Sequence, residues 1–188
     1  MKLYDRQTDG ETSKTFDNAD FGYTRVTVER PLRLRYQMTT EDKARFLDAC
    51  PHLLDDVQAI DKNLGRKPEK DWDVVWSRIE DVLHARKSSW KKSEESLFRN
   101  VFTQKDAEAK PVAKGSRGKG YEPDPDLRDF ENVPLKHYID AYFEREVQPH
   151  VLDAWMDRTK DKVGYEINFN RHFYEYTPPR QLGRLTST

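Results

Sequence analysis

Apolar positions along this chain recur with two periods. In DWDVVWSRIEDVLHAR they fall at Trp72, Val75, Trp76, Ile79, Val82 and Leu83, one stripe down a helix. Thr39 precedes EDKARFLDAC, with Asp42 placed to complete an N-terminal cap, and Pro51 ends or restarts that helix. Leu53, Leu54, Val57 and Ile60 predict a short second helix stopped at Gly65. Ser93 is the expected cap of a helix burying Leu97, Phe98, Val101 and Phe102. Ile139, Tyr142, Phe143 and Val147 predict another, ending at Pro149. The period of two is weaker. It runs through Tyr23, Val26 and Val28, then through Leu32, Leu34 and Tyr36, with Pro31 at a strand edge or bend. It returns in VGYEINFNRHFYEYTPPR, with Tyr165, Ile167 and Phe169 on one face.

These patterns predict an α+β fold, mostly helical, with a small β-sheet built from strands at 21–36 and 163–176. Residues 1–20 form a polar leader without a period, read as loop. A helical region covers 39–104. KDAEAKPVAKGSRGKG, 105–120, has three glycines, little apolar content and an excess of lysine and arginine, so it reads as a flexible basic linker. A helix–strand module occupies 121–180 and a tail 181–188. Phe21-Gly22-Tyr23 and Val163-Gly164-Tyr165 echo one another at the starts of two extended segments. In both, glycine permits a bulge or close approach, and tyrosine packs its ring with the hydroxyl outward.

Charge sharpens one question. FGYTRVTVERPLRLRY carries Arg25, Arg30, Arg33 and Arg35 against Glu29, although the whole chain has a formal net charge of −1. Polyanion affinity must therefore come from local patches. Arg30, Arg33 and Arg35 either meet phosphate or flank a buried sheet beside acids such as Glu29 or those of 122–131. Cys50 is the only cysteine, which excludes an internal disulfide and a cysteine-rich metal site. There is no long apolar run, so a cytoplasmic setting and no membrane are expected.

Catalytic motifs are sparse. GSRGKG at 115–120 lacks the preceding strand and following apolar helix of a phosphate loop. Glu122, Asp124 and Asp126 could meet a hard cation, but they alternate with prolines and lack the glycine of a calcium loop. Pro-Asp at 123–124 and 125–126 lacks the downstream acid-x-Lys of metal-dependent nucleases. The histidines at 52, 84, 137, 150 and 172 form no metal-binding spacing. His172, among the aromatics of NRHFYEY, is read as packing. Trp72, Trp76 and Ile79 read as core first, and as a partner interface second.

FGYTRVTVERPLRL, then YEPDPDLRDFENVPL with YFEREVQPHVLDAW, then KVGYEINFNRHFYEYTPPR, resemble in order and spacing the carboxy-terminal portion of the M subunit of type I restriction–modification systems. These are adenine-specific N-6 DNA methylases. The matching pieces are 21–33 and 121–180, and the helical stretch between them is similar only in character. The family's glycine-containing motif for S-adenosylmethionine and its (Asn/Asp)-Pro-Pro-(Tyr/Phe) adenine loop are not found here. Pro178-Pro179 lies between Thr177 and Arg180 instead. The chain is thus expected to be a piece of such an enzyme, without cofactor or catalysis of its own. S-adenosylmethionine belongs to the full family enzyme.

The resemblance implies a specificity (S) subunit, the catalytic part of the M subunit, a restriction (R) subunit in the full complex, and DNA as partners. Arg30, Arg33, Arg35 and Arg171 would then contact DNA phosphate without reading bases. Trp72, Trp76 and Ile79 would offer an interface to the S subunit. The alternative from another class is an independent nucleic-acid-binding or regulatory module. A stand-alone hydrolase or nuclease is the third.

Overall fold

The computed structural model describes residues 14–115 and 120–167. The fold is α+β. In chain order it has helix α1 (Asn18–Phe21), strands β1 (Gly22–Glu29) and β2 (Leu34–Tyr36), and helices α2 (Thr40–Ala49), α3 (Leu54–Leu64), α4 (Trp72–Ala85) and α5 (Lys92–Phe102). Strands β3 (Thr103–Lys105) and β4 (Asp129–Pro134), helix α6 (Ile139–Tyr142) and strand β5 (Trp155–Tyr165) follow. Two compact units result. One is helical, Val28–Asp129 with Val151–Met156; the other comprises the described residues of Met1–Thr27, Phe130–His150 and Asp157–Thr188. This division departs from the linear parcels read in the sequence, because 121–129 and 151–156 join the helical unit.

The helices form where their periods predict. Thr39 caps α2, its hydroxyl accepting from the Asp42 amide at 3.1 Å. Gly65 ends α3 at φ 72°, a left-handed conformation that favours glycine. Asp71 caps α4 by accepting from the Val74 amide at 3.2 Å. Lys91, not Ser93, stands at the N-cap of α5, and the Glu94 carboxylate turns back to accept its amide at 2.7 Å. The helix begins two residues earlier than a serine cap would place it, because an acid at the third helical position serves the N-cap amide.

Aromatic side chains dominate the helical core. Phe98 is fully buried, with ring centroids 4.4 Å from Phe102, 5.3 Å from Trp90, 5.5 Å from Phe46 and 6.4 Å from Tyr36. Such stacked, tilted and edge-on pairs add to plain burial. Val57, Ile60, Val75 and Ile79 complete the core from α3 and α4. The Trp90 indole needs a hydrogen-bond acceptor in this interior, and Asp56 supplies it at 3.0 Å. Asp56 also accepts from Arg86 Nε at 2.7 Å and from Ser88. It thereby ties the segment after α4 to the first turn of α3.

β2 pairs antiparallel with β3, setting Leu34 opposite Lys105, Arg35 opposite Gln104 and Tyr36 opposite Thr103. The segment expected as a flexible linker is anchored where it is described. Ala109 and Val112 are buried, Lys110 and Val112 donate their amides to the Lys70 and Leu32 carbonyls, and Glu122 donates its amide to Val112. Two small apolar side chains and a run of backbone bonds replace the large apolar content that sequence reading sought.

In the second unit, β1 is the central strand of an antiparallel sheet ordered β4-β1-β5. β5 starts at Trp155, ahead of the expected strand at 163, and the later part of that expected strand lies outside the described residues. The stripe expected as one helix divides. α6 is followed by a π-helical turn over Phe143–Val147, which buries Phe143 and Val147. The Gly-Tyr echo has a physical reason here. A Cβ on Gly22 would stand 2.3 Å from Leu135 Cδ1 and 2.9 Å from the Tyr165 ring, and one on Gly164 would stand 2.6 Å from the Tyr23 ring. Each glycine makes room for the other strand's tyrosine, which covers the bare backbone in return.

Gly164→Ala should therefore destabilise the fold by about 1–3 kcal/mol through overpacking. In urea unfolding, most of that loss should disappear in the Tyr23→Ala background. Additive losses would contradict the reciprocal packing.

A second expectation concerns pH. Burial alone would raise the Asp56 carboxyl, but hydrogen bonds from Ser88, Trp90 and Arg86 outweigh it and hold the group below the usual carboxylate range. Its stabilisation is complete above the unfolded value of about 4 and is lost as pH falls through the lower folded value. Asp56→Ala should cost about 2–3 kcal/mol at neutral pH by leaving the Trp90 indole unpartnered. The deficit relative to wild type should shrink in melts at acid pH.

Candidate functional site

Arg30, Arg33 and Arg35 each have a partner inside the helical unit. Arg30 Nε lies 3.3 Å from Asp153 Oδ1, and Arg33 Nη2 lies 3.0 Å from Asp153 Oδ2. Arg33 also donates to the Ala109 carbonyl at 2.7 Å. Arg35 donates to Gln104 at 3.0 Å and lies 3.9 Å from Asp106. Burial would raise the Asp153 carboxyl, yet the Arg33 hydrogen bond and the charges of Arg30 and Arg33 hold it below its ordinary range. The geometry is that of a clamp, closing the 151–156 segment onto the start of β2. Asp153 and Asp106 are thus the acids these arginines meet, in place of Glu29 and the 122–131 strip. Those acids pair elsewhere: Glu29 with Arg128 at 2.9 Å, Glu122 with Arg99, and Asp124 and Asp126 with Lys105. Arg171 and His172 lie outside the described residues.

The expected interface residues separate. Ile79 is fully buried and has no surface to offer a partner, because its helical position turns it into the aromatic core. Trp72 and Trp76, one turn apart on α4, stack with centroids 5.7 Å apart. Trp72 is buried and Trp76 is half-buried, its indole donating to Glu80 at 3.0 Å.

Their rings form the floor of a cleft of about 510 Å³. α4 contributes Asp73, Ser77 and Glu80, and α5 contributes Glu95, Ser96 and Arg99. Val112, Ala113, Gly115 and Glu122 close the remaining side. Asp73 accepts the Ala113 amide at 3.0 Å, which fixes that wall to the first turn of α4. Glu122 takes both Nη atoms of Arg99, whose guanidinium sits 5.8 Å from the Trp72 ring centroid. Among the described lining residues four carboxylates stand with one guanidinium, and that one is already paired. The chemistry is that of a cation-binding surface with an aromatic base.

The carboxylates of this cleft are what sequence reading missed. Glu80 and Glu95 lie on separate helices, and only the fold brings them to one lining. The spacing of Trp76 and Glu80, one helical turn, was the available signal. Among the described residues no group of three or more His, Cys, Asp or Glu side chains is arranged to hold a metal ion, and no helix is long and apolar enough to cross a membrane. No family model, characterised protein or solved structure gives a significant match to this chain.

The clamp gives a direct expectation. Arg33→Gln and Asp153→Asn should each lower stability by about 1–2 kcal/mol, and the double variant should lose little more than either alone. Neither should change the salt dependence of any DNA binding by the chain. A flattened salt slope with unchanged melting would assign the arginines to phosphate instead.

Proposed function

We propose that this chain is the carboxy-terminal part of a type I restriction–modification M subunit, and that it couples the catalytic part of the DNA adenine methylase to the specificity subunit and to DNA. One observation carries the reading. The three separated pieces that resemble the family supply the three strands of a single sheet: β1 from the first, β4 from the second, and the end of β5 from the third. The intervening helices, similar only in character, build a core of their own. Segments that must assemble into one sheet share a structural requirement, and their joint resemblance is what such a requirement produces.

A coupling role needs surface for a partner. Val163, Tyr165 and Ile167 alternate along the end of β5 and just beyond it, each more than half exposed. Exposed apolar side chains in register are a feature of contact surfaces. In this reading S-adenosylmethionine and the target adenine are handled by the catalytic part, the S subunit reads the DNA sequence, and the R subunit joins the full complex. DNA contact belongs to that assembly. The internal pairing of Arg30, Arg33 and Arg35 gives no support to their expected role on phosphate.

Size-exclusion chromatography with the catalytic part of the M subunit and the S subunit of the same system tests this. The chain should elute in a stoichiometric complex. Val163→Asp combined with Ile167→Asp should fold, by its melting curve, but drop out of the complex. A wild-type chain that elutes separately under all conditions contradicts the reading.

A further inference from the structure

The Trp72–Trp76 cleft already holds one cation of its own. The Arg99 guanidinium lies against the Trp72 ring while the Glu122 carboxylate grips its edge. Next to it a second indole stands beside carboxylates. Trp76 is half-buried, and Glu80 and Glu95 line the cleft beside it. Among the described residues, neither of these two carboxylates is paired with a lysine or arginine. Glu80 accepts one hydrogen bond, from the Trp76 indole at 3.0 Å, and a carboxylate has room for more. That bond also fixes the carboxylate relative to the ring.

The rim is open and polar. Asp73, Ser77, Glu80 and Ser96 are exposed, so an extended chain can lie across the cleft and lower one side chain onto the indole floor. Among the described residues of the lining carboxylates are in surplus, which attracts a cation and repels a nucleic acid or an acidic surface. We propose that this cleft binds a basic segment of a partner protein, seating an arginine side chain against the Trp76 ring with its charge met by Glu80 and Glu95. Arginine suits the place better than lysine. Its planar guanidinium stacks on an indole and offers several donors to two carboxylates, whereas an ammonium is a compact and strongly hydrated charge. The chemistry of the cleft is independent of the methylase reading.

Fluorescence anisotropy with a neutral-dye-labelled Gly-Arg-Gly-Arg-Gly peptide tests the proposal on the full chain at low salt. Saturable binding is expected, with the lysine version of the peptide weaker. Glu80→Gln with Glu95→Gln should weaken binding at least about tenfold, as should Trp76→Leu. Glu41→Gln with Asp55→Asn removes the same charge from exposed positions outside the cleft and should leave affinity within about twofold. Melting curves accompany each variant, and the glutamine pair keeps the test decisive if Trp76→Leu unfolds. Absence of saturable peptide binding overturns the proposal. So does equal weakening by the control pair, which would reduce the effect to general charge attraction. Displacement of the peptide by an oligodeoxythymidine that binds the same cleft also overturns it.

Discussion

The helical unit depends on the cluster of rings around Phe98. That side chain and Phe46 have no exposed surface, and with Phe102, Trp90 and Tyr36 they join α2, α5, β2 and the segment before α5. Rings of this size can be satisfied only by near-complete burial, and burial then dictates the polar arrangements around them. The Trp90 indole cannot remain unpartnered, so Asp56 is drawn inward, and the Arg86 and Ser88 bonds keep its charge tolerable. Among the described residues the Tyr36 hydroxyl has no hydrogen-bond partner, and burial, with the nearby Asp61 charge, pushes its ionisation far above the ordinary range. The candidate cleft follows from the same packing. Val75 and Ile79 are committed to the core, so Trp72 falls at its edge and Trp76 half outside it.

Charge along this sequence is resolved by contacts distant in the chain. The basic strand that looks suited to a polyanion instead meets Asp153 and Asp106. The acidic run that looks suited to a cation meets Arg99 and Lys105. A local surplus of charge therefore says little about a ligand until its internal partners are known. Partly exposed pairs of this kind contribute modestly to stability, and their clearer effect is to fix which segments lie together. The lining of the Trp76 cleft differs because, among the described residues, its surplus survives the pairing.

Sequence legibility follows the range of the interactions. Helix positions depend on neighbours within a turn, so the α4 stripe, the Thr39 cap and the Gly65 stop are readable directly. β4 went unread because nothing local distinguishes DFENVP from an acidic loop, and its strand state depends on β1. The Gly-Tyr echo pointed to close approach, but the reciprocal pairing of Gly22 with Tyr165 and Gly164 with Tyr23 needs the register of two distant strands. Residues 105–115 looked loose because Ala109 and Val112 are small, and their burial depends on α4 and β2. The arginine clamp spans 120 positions from Arg33 to Asp153, beyond any pattern in a window.

The central claim is that this chain completes a DNA adenine methylase without supplying its chemistry. The most direct test is transfer of labelled methyl groups from S-adenosylmethionine to cognate DNA by the catalytic part of the M subunit with the S subunit, measured with and without this chain. The account predicts sequence-specific adenine methylation only when the chain is added, and none by the chain alone. Equal methylation in its absence, or methyl transfer by the isolated chain, would contradict it.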